Sequence, residues 1–201
     1  FCLLVEAAKV DHAAHANDGA SLVKELAHFD ETLGGLIDFA DEDGETLLVV
    51  TSDHSNANPG ITYYAQHGVS AFENILKSKQ SFNWILDSHA ERAGGAMDPK
   101  VLFELLEEAS GLSLTKGDLA MLEQHADETP TDGFALNRKI HVLMGAILAN
   151  HTGLAFLSPN HTSDPVTLTA IGPGRELFTP SMRINEINAP LVSALGLPDA
   201  S

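Results

Sequence analysis

The sequence predicts an α/β fold in which a mostly parallel sheet is flanked by helices and carries a helical insertion. Residues 1–5 and 47–54 open with apolar runs that are typical of strands covered on both faces. Between them, apolar residues recur at steps of three and four, which indicates an amphipathic helix. A strand, a helix and a second strand in this order favour a parallel sheet, because parallel neighbours need a helical crossover.

The predicted helix between the two strands covers residues 20–39. Asn17 and Asp18 precede it, and either side chain is suited to accept hydrogen bonds from the first free backbone N–H groups of the helix. The polar stretch DEDGE, residues 41–45, contains a glycine and predicts the end of the helix before the second strand begins.

Residues 71–149 predict a helical insertion, because several consecutive stretches carry helical periodicity and no strand pattern intervenes. Asp98-Pro99 marks one helix start, with a capping carboxylate followed by proline at the first helical position. The strand pattern returns at residues 166–174, and residues 185–197 predict a closing helix. The sequence therefore divides into three segments: residues 1–70 contain a βαβ unit, residues 71–149 form the insertion, and residues 150–201 contain the last strand and helix.

Composition limits the classes of function. Of 201 residues, 11 are Lys or Arg and 28 are Asp or Glu, so the formal net charge is −17. That balance argues against binding to nucleic acid or to an anionic membrane, and it suits a surface that attracts divalent cations. No apolar run approaches the roughly 18 residues needed to cross a bilayer. Cys2 is the single cysteine, so no internal disulfide can form.

The chain begins with Phe1 inside an apolar run, without a lead-in segment. A natural domain seldom starts in the middle of a strand. We therefore expect these residues to be the C-terminal part of a larger domain.

Acidic and imidazole side chains follow both predicted strands. Asp11 and His15 are four residues apart, so on a helix their side chains share a face and can bind one zinc ion with further ligands. Asp53 and His54 follow the second strand, where ligands of parallel sheets usually bind. Glu6 offers carboxylate oxygen, which suits magnesium better than zinc. The alternative is that Asp11 caps a helix and the histidines are solvated or bonded to the backbone.

Three stretches carry a family resemblance. They are VEAAKVDHAAHAND (residues 5–18), LLVVTSDHS (47–55) and NHTSDPVTLTAIGPG (160–174). In order, spacing and flanking strands they resemble the alkaline phosphatase family. The resemblance covers roughly residues 1–60 and 150–197, and the helical stretch between them is not explained by it.

The resemblance implies a set of metal ligands and two further roles for histidine. The implied ligands are Glu6 for one magnesium, Asp11, His15 and His161 for a first zinc, and Asp53 and His54 for a second zinc. His151 competes for the third place at the first zinc, because the tripeptide NHT occurs twice. His161 is preferred since only it precedes the strand that ends in GPG. His12 is at most a partner of a ligand.

The resemblance implies that the full-length protein hydrolyses phosphate monoesters through a phosphoseryl or phosphothreonyl enzyme, with two zinc ions and one magnesium, and releases inorganic phosphate. Members of the family act outside the cytoplasm, so we expect a periplasmic or secreted protein. The sequence leaves open whether the protein forms a homodimer. No segment of these residues matches the family's nucleophile or arginine motif, so we expect the chain alone to be inactive. The alternatives are a related phosphodiesterase or sulfatase, or a non-catalytic metal-binding module.

Overall fold

A computed structural model describes residues 1–62, 68–126 and 140–198. Within it the chain forms two compact units, the first of Phe1–Leu26 and Asn56–Thr162 and the second of Ala27–Ser55 and Ser163–Ser201. In the described ranges no helix is both long and apolar enough to cross a membrane. Residues 127–139, part of the predicted insertion, lie outside the described residues.

Helices make up most of the regular structure in the described residues, and the strands are short. In chain order the elements are α1 (Ala8–His15), α2 (Gly19–Asp43), β1 (Leu48–Val50), β2 (Ser55–Asn56), β3 (Pro59–Ile61), α3 (Gly68–Glu73), α4 (Phe82–Ala93), α5 (Pro99–Ser110), α6 (Lys116–His125), α7 (Ile140–Thr152), β4 (Leu154–Phe156), β5 (His161–Thr162), β6 (Thr169–Ile171) and α8 (Asn188–Ala194). Short 3₁₀ turns occupy Asn74–Lys77, Arg175–Leu177 and Ile184–Ile187.

Four helices of the first unit, α4 to α7, build its main apolar core. Their inward side chains are Phe82, Ile85, Leu102, Leu105, Leu106, Ala109, Leu122, Met144 and Ile147. The start of α5 is fixed as the sequence predicts, because the Asp98 carboxylate accepts hydrogen bonds from the backbone N–H groups of Lys100 and Val101. His89 is buried on α4, and its Nε2 accepts from the Asp98 N–H at 3.1 Å, so this histidine serves packing.

The Asp18 carboxylate connects the starts of two helices in the first unit. It caps α2 by accepting from the Ser21 backbone N–H at 3.0 Å and from the Ser21 hydroxyl at 2.7 Å. It also accepts from the buried Phe82 N–H, at the first residue of α4, at 2.9 Å. Asn17 has a positive φ of 53°, so it makes the turn between α1 and α2, and Asp18 makes the cap.

The parallel sheet predicted from the sequence is not confirmed. In the second unit β1 pairs with β6 antiparallel, with Val49 opposite Ala170. In the first unit β3 pairs with β4, also antiparallel, with Gly60 opposite Ala155. The strands of these two pairs are each three residues long, and β1 is only partly buried.

The strand predicted over residues 1–5 does not form. Leu4 is 90% exposed and Leu3 is 67% exposed, so this apolar run packs against little in the described residues. An extended segment becomes a strand only when a neighbour accepts and donates its backbone hydrogen bonds. The sequence pattern identified the apolar character correctly, but it assumed a partner strand that the described residues do not supply.

The contact between α6 and α7 contains a buried carboxylate. Asp118 and Thr115 form a capping box at the start of α6, and His151 Nε2 lies 3.0 Å from Asp118 Oδ2. Burial by itself raises the pKa of Asp118, but hydrogen bonds from the Thr115 backbone N–H, the Thr115 hydroxyl and His151 outweigh burial and hold the pKa below its ordinary value of 3.8. The ionised carboxylate therefore stabilises the folded chain.

Replacing Asp18 by alanine tests the connection between α2 and α4. We expect Asp18→Ala to lower the free energy of unfolding by about 2–4 kcal/mol, because a helix cap is worth about 1 kcal/mol and an unpaired buried N–H at Phe82 costs about 1–3 kcal/mol. A urea titration measures this. The control Asp30→Ala, at an exposed position of α2, should change it by less than about 0.5 kcal/mol. Equal effects of the two variants would contradict the role given to Asp18.

The lowered pKa of Asp118 predicts an acid-dependent loss of stability. Its ionised form contributes stability above the unfolded-state pKa near 3.8, and this contribution disappears as the pH falls through the lower folded-state pKa. We expect Asp118→Asn to be less stable than wild type by about 1–3 kcal/mol at pH 7, and this gap to shrink once the pH is below 3.8. Urea titrations across the pH range measure the gap. A gap that stays constant, or one reproduced by Asp87→Asn at an exposed position of α4, would rule out this carboxylate as the cause.

Candidate metal centre

Helix α1 presents two of the predicted ligands on one side. Ala13 and Ala14 form its buried face and pack with Leu22 and Ala57 into a second, smaller apolar cluster. Asp11 and His15 lie one turn apart, with Asp11 Oδ2 3.6 Å from His15 Nε2 and each side chain 38% exposed. The alanine face anchors the helix, and the carboxylate and the imidazole remain within reach of solvent.

His161, at the start of β5, completes a group of three. Its Nε2 lies 3.1 Å from His15 Nε2, and the two ring centroids are 4.9 Å apart. One ligand atom from each of Asp11, His15 and His161 lies within 4.8 Å of the others. In the part of the chain that the structure describes, this is the one group of three or more such side chains close enough to hold a metal ion.

A backbone carbonyl fixes the tautomer of His15. His15 Nδ1 lies 2.7 Å from the carbonyl oxygen of Pro159. Since a carbonyl only accepts, Nδ1 must carry a proton, and Nε2 is the ring nitrogen that faces Asp11 and His161. Histidines that bind metals usually donate their other ring N–H in this way.

The loop residue Ala57 joins the segment of His161 to the core beneath α1. Ala57 is fully buried with φ of 55°, its N–H donates to the Asn160 carbonyl at 2.8 Å, and its carbonyl accepts from the Leu157 N–H at 2.9 Å. Leu157 and Asn160 both precede His161 in the chain. These two bonds hold both of them against the buried residue Ala57.

Asn56 contacts this group through Asp11, although the contact was not predicted from the sequence. Its Nδ2 donates to Asp11 Oδ1 at 2.6 Å. Asparagine is common in loops, and nothing local in the sequence marks this one. The contact joins residues 45 positions apart, so only the folded chain reveals it.

The remaining predicted ligands lie outside this group. Asp53 and His54 belong to the second compact unit, where Asp53 Oδ2 is 3.3 Å from His54 Nε2 and the Asp53 side chain is 80% exposed. Glu6 is exposed in the segment before α1, and His12 is exposed on α1. His151, the competitor for the third position, faces Asp118 and is not in the group.

Two imidazole nitrogens and one carboxylate oxygen form a donor set that suits zinc. Catalytic zinc sites use three protein ligands of these types and leave a fourth position for water or substrate. The solvent-accessible position of all three side chains agrees with an open site. The family model for alkaline phosphatase matches residues 1–197.

This chain belongs to the alkaline phosphatase family. It is 27% identical over 195 residues to alkaline phosphatase 3 of Bacillus subtilis (strain 168), covering 97% of this chain and 40% of that protein. It is 51% identical over 55 residues to the repressible alkaline phosphatase of Saccharomyces cerevisiae, covering 27% of this chain and 10% of that protein.

Solved structures show the same fold. The crystal structure of Thermus thermophilus alkaline phosphatase superposes with a TM-score of 0.80 at 22% identity, over 97% of this chain and 43% of that one. The cold-active alkaline phosphatase of Shewanella sp. superposes with a TM-score of 0.68 at 21% identity, over 98% of this chain and 45% of that one. The chain thus has an alkaline-phosphatase-like α/β fold and spans less than half the length of these relatives.

Ala57 gives a test of how the loop supports the group. We expect Ala57→Val to lower the free energy of unfolding by about 1–3 kcal/mol, because added volume in a packed position costs about that much and a β-branched residue tolerates the left-handed φ of this position less well than alanine does. The matched control is Ala155→Val, at an exposed position of β4. A urea titration that finds the same stability for both variants would show that the loop tolerates Ala57→Val.

Proposed function

We propose that the protein carrying this chain is a metal-dependent phosphatase that hydrolyses phosphate monoesters, with Asp11, His15 and His161 holding a first zinc ion. The observation that carries the proposal is the convergence of these three side chains in a member of the alkaline phosphatase family. Asp53 and His54 as ligands of a second zinc, and Glu6 as a magnesium ligand, rest on the motif resemblance alone.

The residues of the group have distinct tasks in this proposal. When bound, zinc acts as a Lewis acid that lowers the pKa of a coordinated hydroxyl or water and stabilises a leaving oxygen. The Asp11 carboxylate contributes one negative charge, and His15 and His161 contribute neutral ring nitrogens. The Pro159 carbonyl holds a proton of His15 on Nδ1, so that Nε2 is the ring nitrogen that would bind the ion.

The attacking hydroxyl and the phosphate-binding arginine lie, in this proposal, outside these 201 residues. No stretch of them resembles the family's nucleophile motif, and Arg92, Arg138, Arg175 and Arg183 stand outside any matching context. Arg138 and His67 also lie outside the described residues. We therefore propose that the chain by itself does not turn over substrate. The proposal also includes export of the protein to the periplasm or the medium. Its substrates are phosphate monoesters, and its product is inorganic phosphate.

Zinc content and hydrolysis of a monoester test the proposal in the full-length protein. We expect His161→Ala to lose one zinc per chain by elemental analysis and at least ~100-fold in hydrolysis of 4-nitrophenyl phosphate, because a three-ligand site loses a ligand. His151→Ala is the matched control and should retain both zinc and activity, since His151 contacts Asp118 instead. If His151→Ala loses the zinc and His161→Ala keeps it, the assignment of the third ligand is wrong.

The same assay separates the enzyme classes. Hydrolysis of 4-nitrophenyl phosphate but not of its bis-ester is expected for a monoesterase. Turnover of the diester or of a sulfate ester would favour the related phosphodiesterase or sulfatase. Zinc binding without any turnover would indicate a non-catalytic metal-binding module.

A further inference from the structure

The buried side chain of Asn17, at the turn that follows α1, points at two backbone carbonyls. With its amide oriented so that Nδ2 lies between them, Nδ2 is 3.2 Å from the Ser158 carbonyl oxygen and 3.2 Å from the Ala14 carbonyl oxygen. Since a carbonyl only accepts, this orientation satisfies the amide and gives two hydrogen bonds. One bonded residue is on α1, and the other belongs to the segment that leads to His161.

The segment that begins at Ser158 reaches the candidate metal centre at two points. The Pro159 carbonyl accepts from His15 Nδ1 at 2.7 Å, and His161 is itself a member of the group. The Ser158 hydroxyl accepts from the Asn160 N–H at 3.1 Å, which turns the segment back on itself. A displacement of Ser158 therefore moves both contact points relative to α1.

Helix α7, most of which belongs to the predicted insertion, holds Asn17 from another side. Gly145 is buried on α7, and a Cβ at this position would lie 2.8 Å from the Asn17 carbonyl oxygen and 2.9 Å from the Asn17 Cβ. Carbon atoms in good contact are about 3.5–4.0 Å apart, so only glycine lets the helix come this close without displacing the turn. The neighbouring Asp18 adds the bond to the Phe82 N–H of α4. Two helices of the insertion thus contact the turn that follows the predicted ligands of α1.

We propose that Asn17 is a positioning residue of the metal centre and that α7, through Gly145, keeps its amide in place. This inference rests on the proposed zinc site. Neither residue contacts metal or substrate. Asn17 acts by fixing the distance between α1 and the segment that ends at His161, so a helix that carries none of the proposed zinc ligands contributes to zinc affinity.

A merely structural role for Asn17 predicts a different result. Removal of a buried amide lowers the stability of the metal-free protein under either role, so stability does not distinguish the two. A structural role leaves the zinc affinity of the folded protein unchanged. A positioning role weakens zinc binding, because the ligands must then be brought into place at the moment when the ion binds.

The deciding experiment measures zinc affinity in the full-length protein, by competition with a chelator, for the ion that His161→Ala removes and well below the melting temperature of each variant. We expect Asn17→Gly to bind zinc about 10-fold more weakly, at the low end of the loss of roughly 10- to 100-fold that follows replacement of a residue supporting a metal ligand. Glycine adopts the φ of 53° without strain, so this variant removes the amide and keeps the turn. The matched control is Asn58→Gly, at an exposed position with φ of 44°, which should bind zinc as the wild type does.

A second variant, Gly145→Ala, tests the contribution of α7 without removing the amide. Its methyl group would overlap the Asn17 carbonyl, so the turn must shift, and we expect zinc to bind about 10-fold more weakly here as well. The matched control is Gly34→Ala on α2, where a Cβ meets nothing within 4 Å. This control should keep the zinc affinity of the wild type.

Each outcome decides the inference. Weaker zinc binding by Asn17→Gly and Gly145→Ala, with wild-type affinity in both controls, supports it, and equal losses in a variant and its control overturn it. Wild-type affinity in Asn17→Gly overturns the positioning role and leaves the proposed zinc site intact, and a loss in Asn17→Gly alone overturns the part given to α7. Should Asn17→Gly fail to fold, the comparison of Gly145→Ala with Gly34→Ala decides in the same way. If the wild-type protein holds no zinc that His161→Ala removes, the proposed site and this inference are both overturned.

Discussion

The candidate metal centre depends on the burial of Ala57. Its N–H and carbonyl are bonded to Asn160 and Leu157, and its side chain lies in the apolar cluster beneath α1. The segment leading to His161 is thereby held at a fixed distance from the helix that carries Asp11 and His15. Two ligands come from one helical turn, but the third comes from 146 residues further along the chain, and a fixed junction is what keeps such a distant residue in register.

Hydrogen bonds from the rest of the chain hold the ligand atoms that face away from the centre. The amide of Asn56 donates to one oxygen of Asp11, and the Pro159 carbonyl accepts from the protonated ring nitrogen of His15. The atoms left over are an oxygen and a nitrogen on the side of His161. A site in which the outward atoms are already bonded loses little conformational freedom when an ion arrives, and this favours binding.

The parts of this structure that were predictable from the sequence are local. Helix starts at Asp18 and Asp98 follow from the side chains next to them, and the shared face of Asp11 and His15 follows from helical spacing. The place of His161 beside them came from motif resemblance. Strand pairing could not be predicted in the same way, because it depends on which distant segment supplies the partner. The contact between Asn56 and Asp11 was not predicted for the same reason, since 45 residues separate the two.

The unequal exposure of the three side chains decides which of them a dissolved reagent reaches first. Asp11 and His15, on α1, are partly buried, and His161 is the exposed member of the group. Chemical modification of the group would therefore begin at His161, the side chain that the distant segment supplies, and would leave the two side chains of α1 in place.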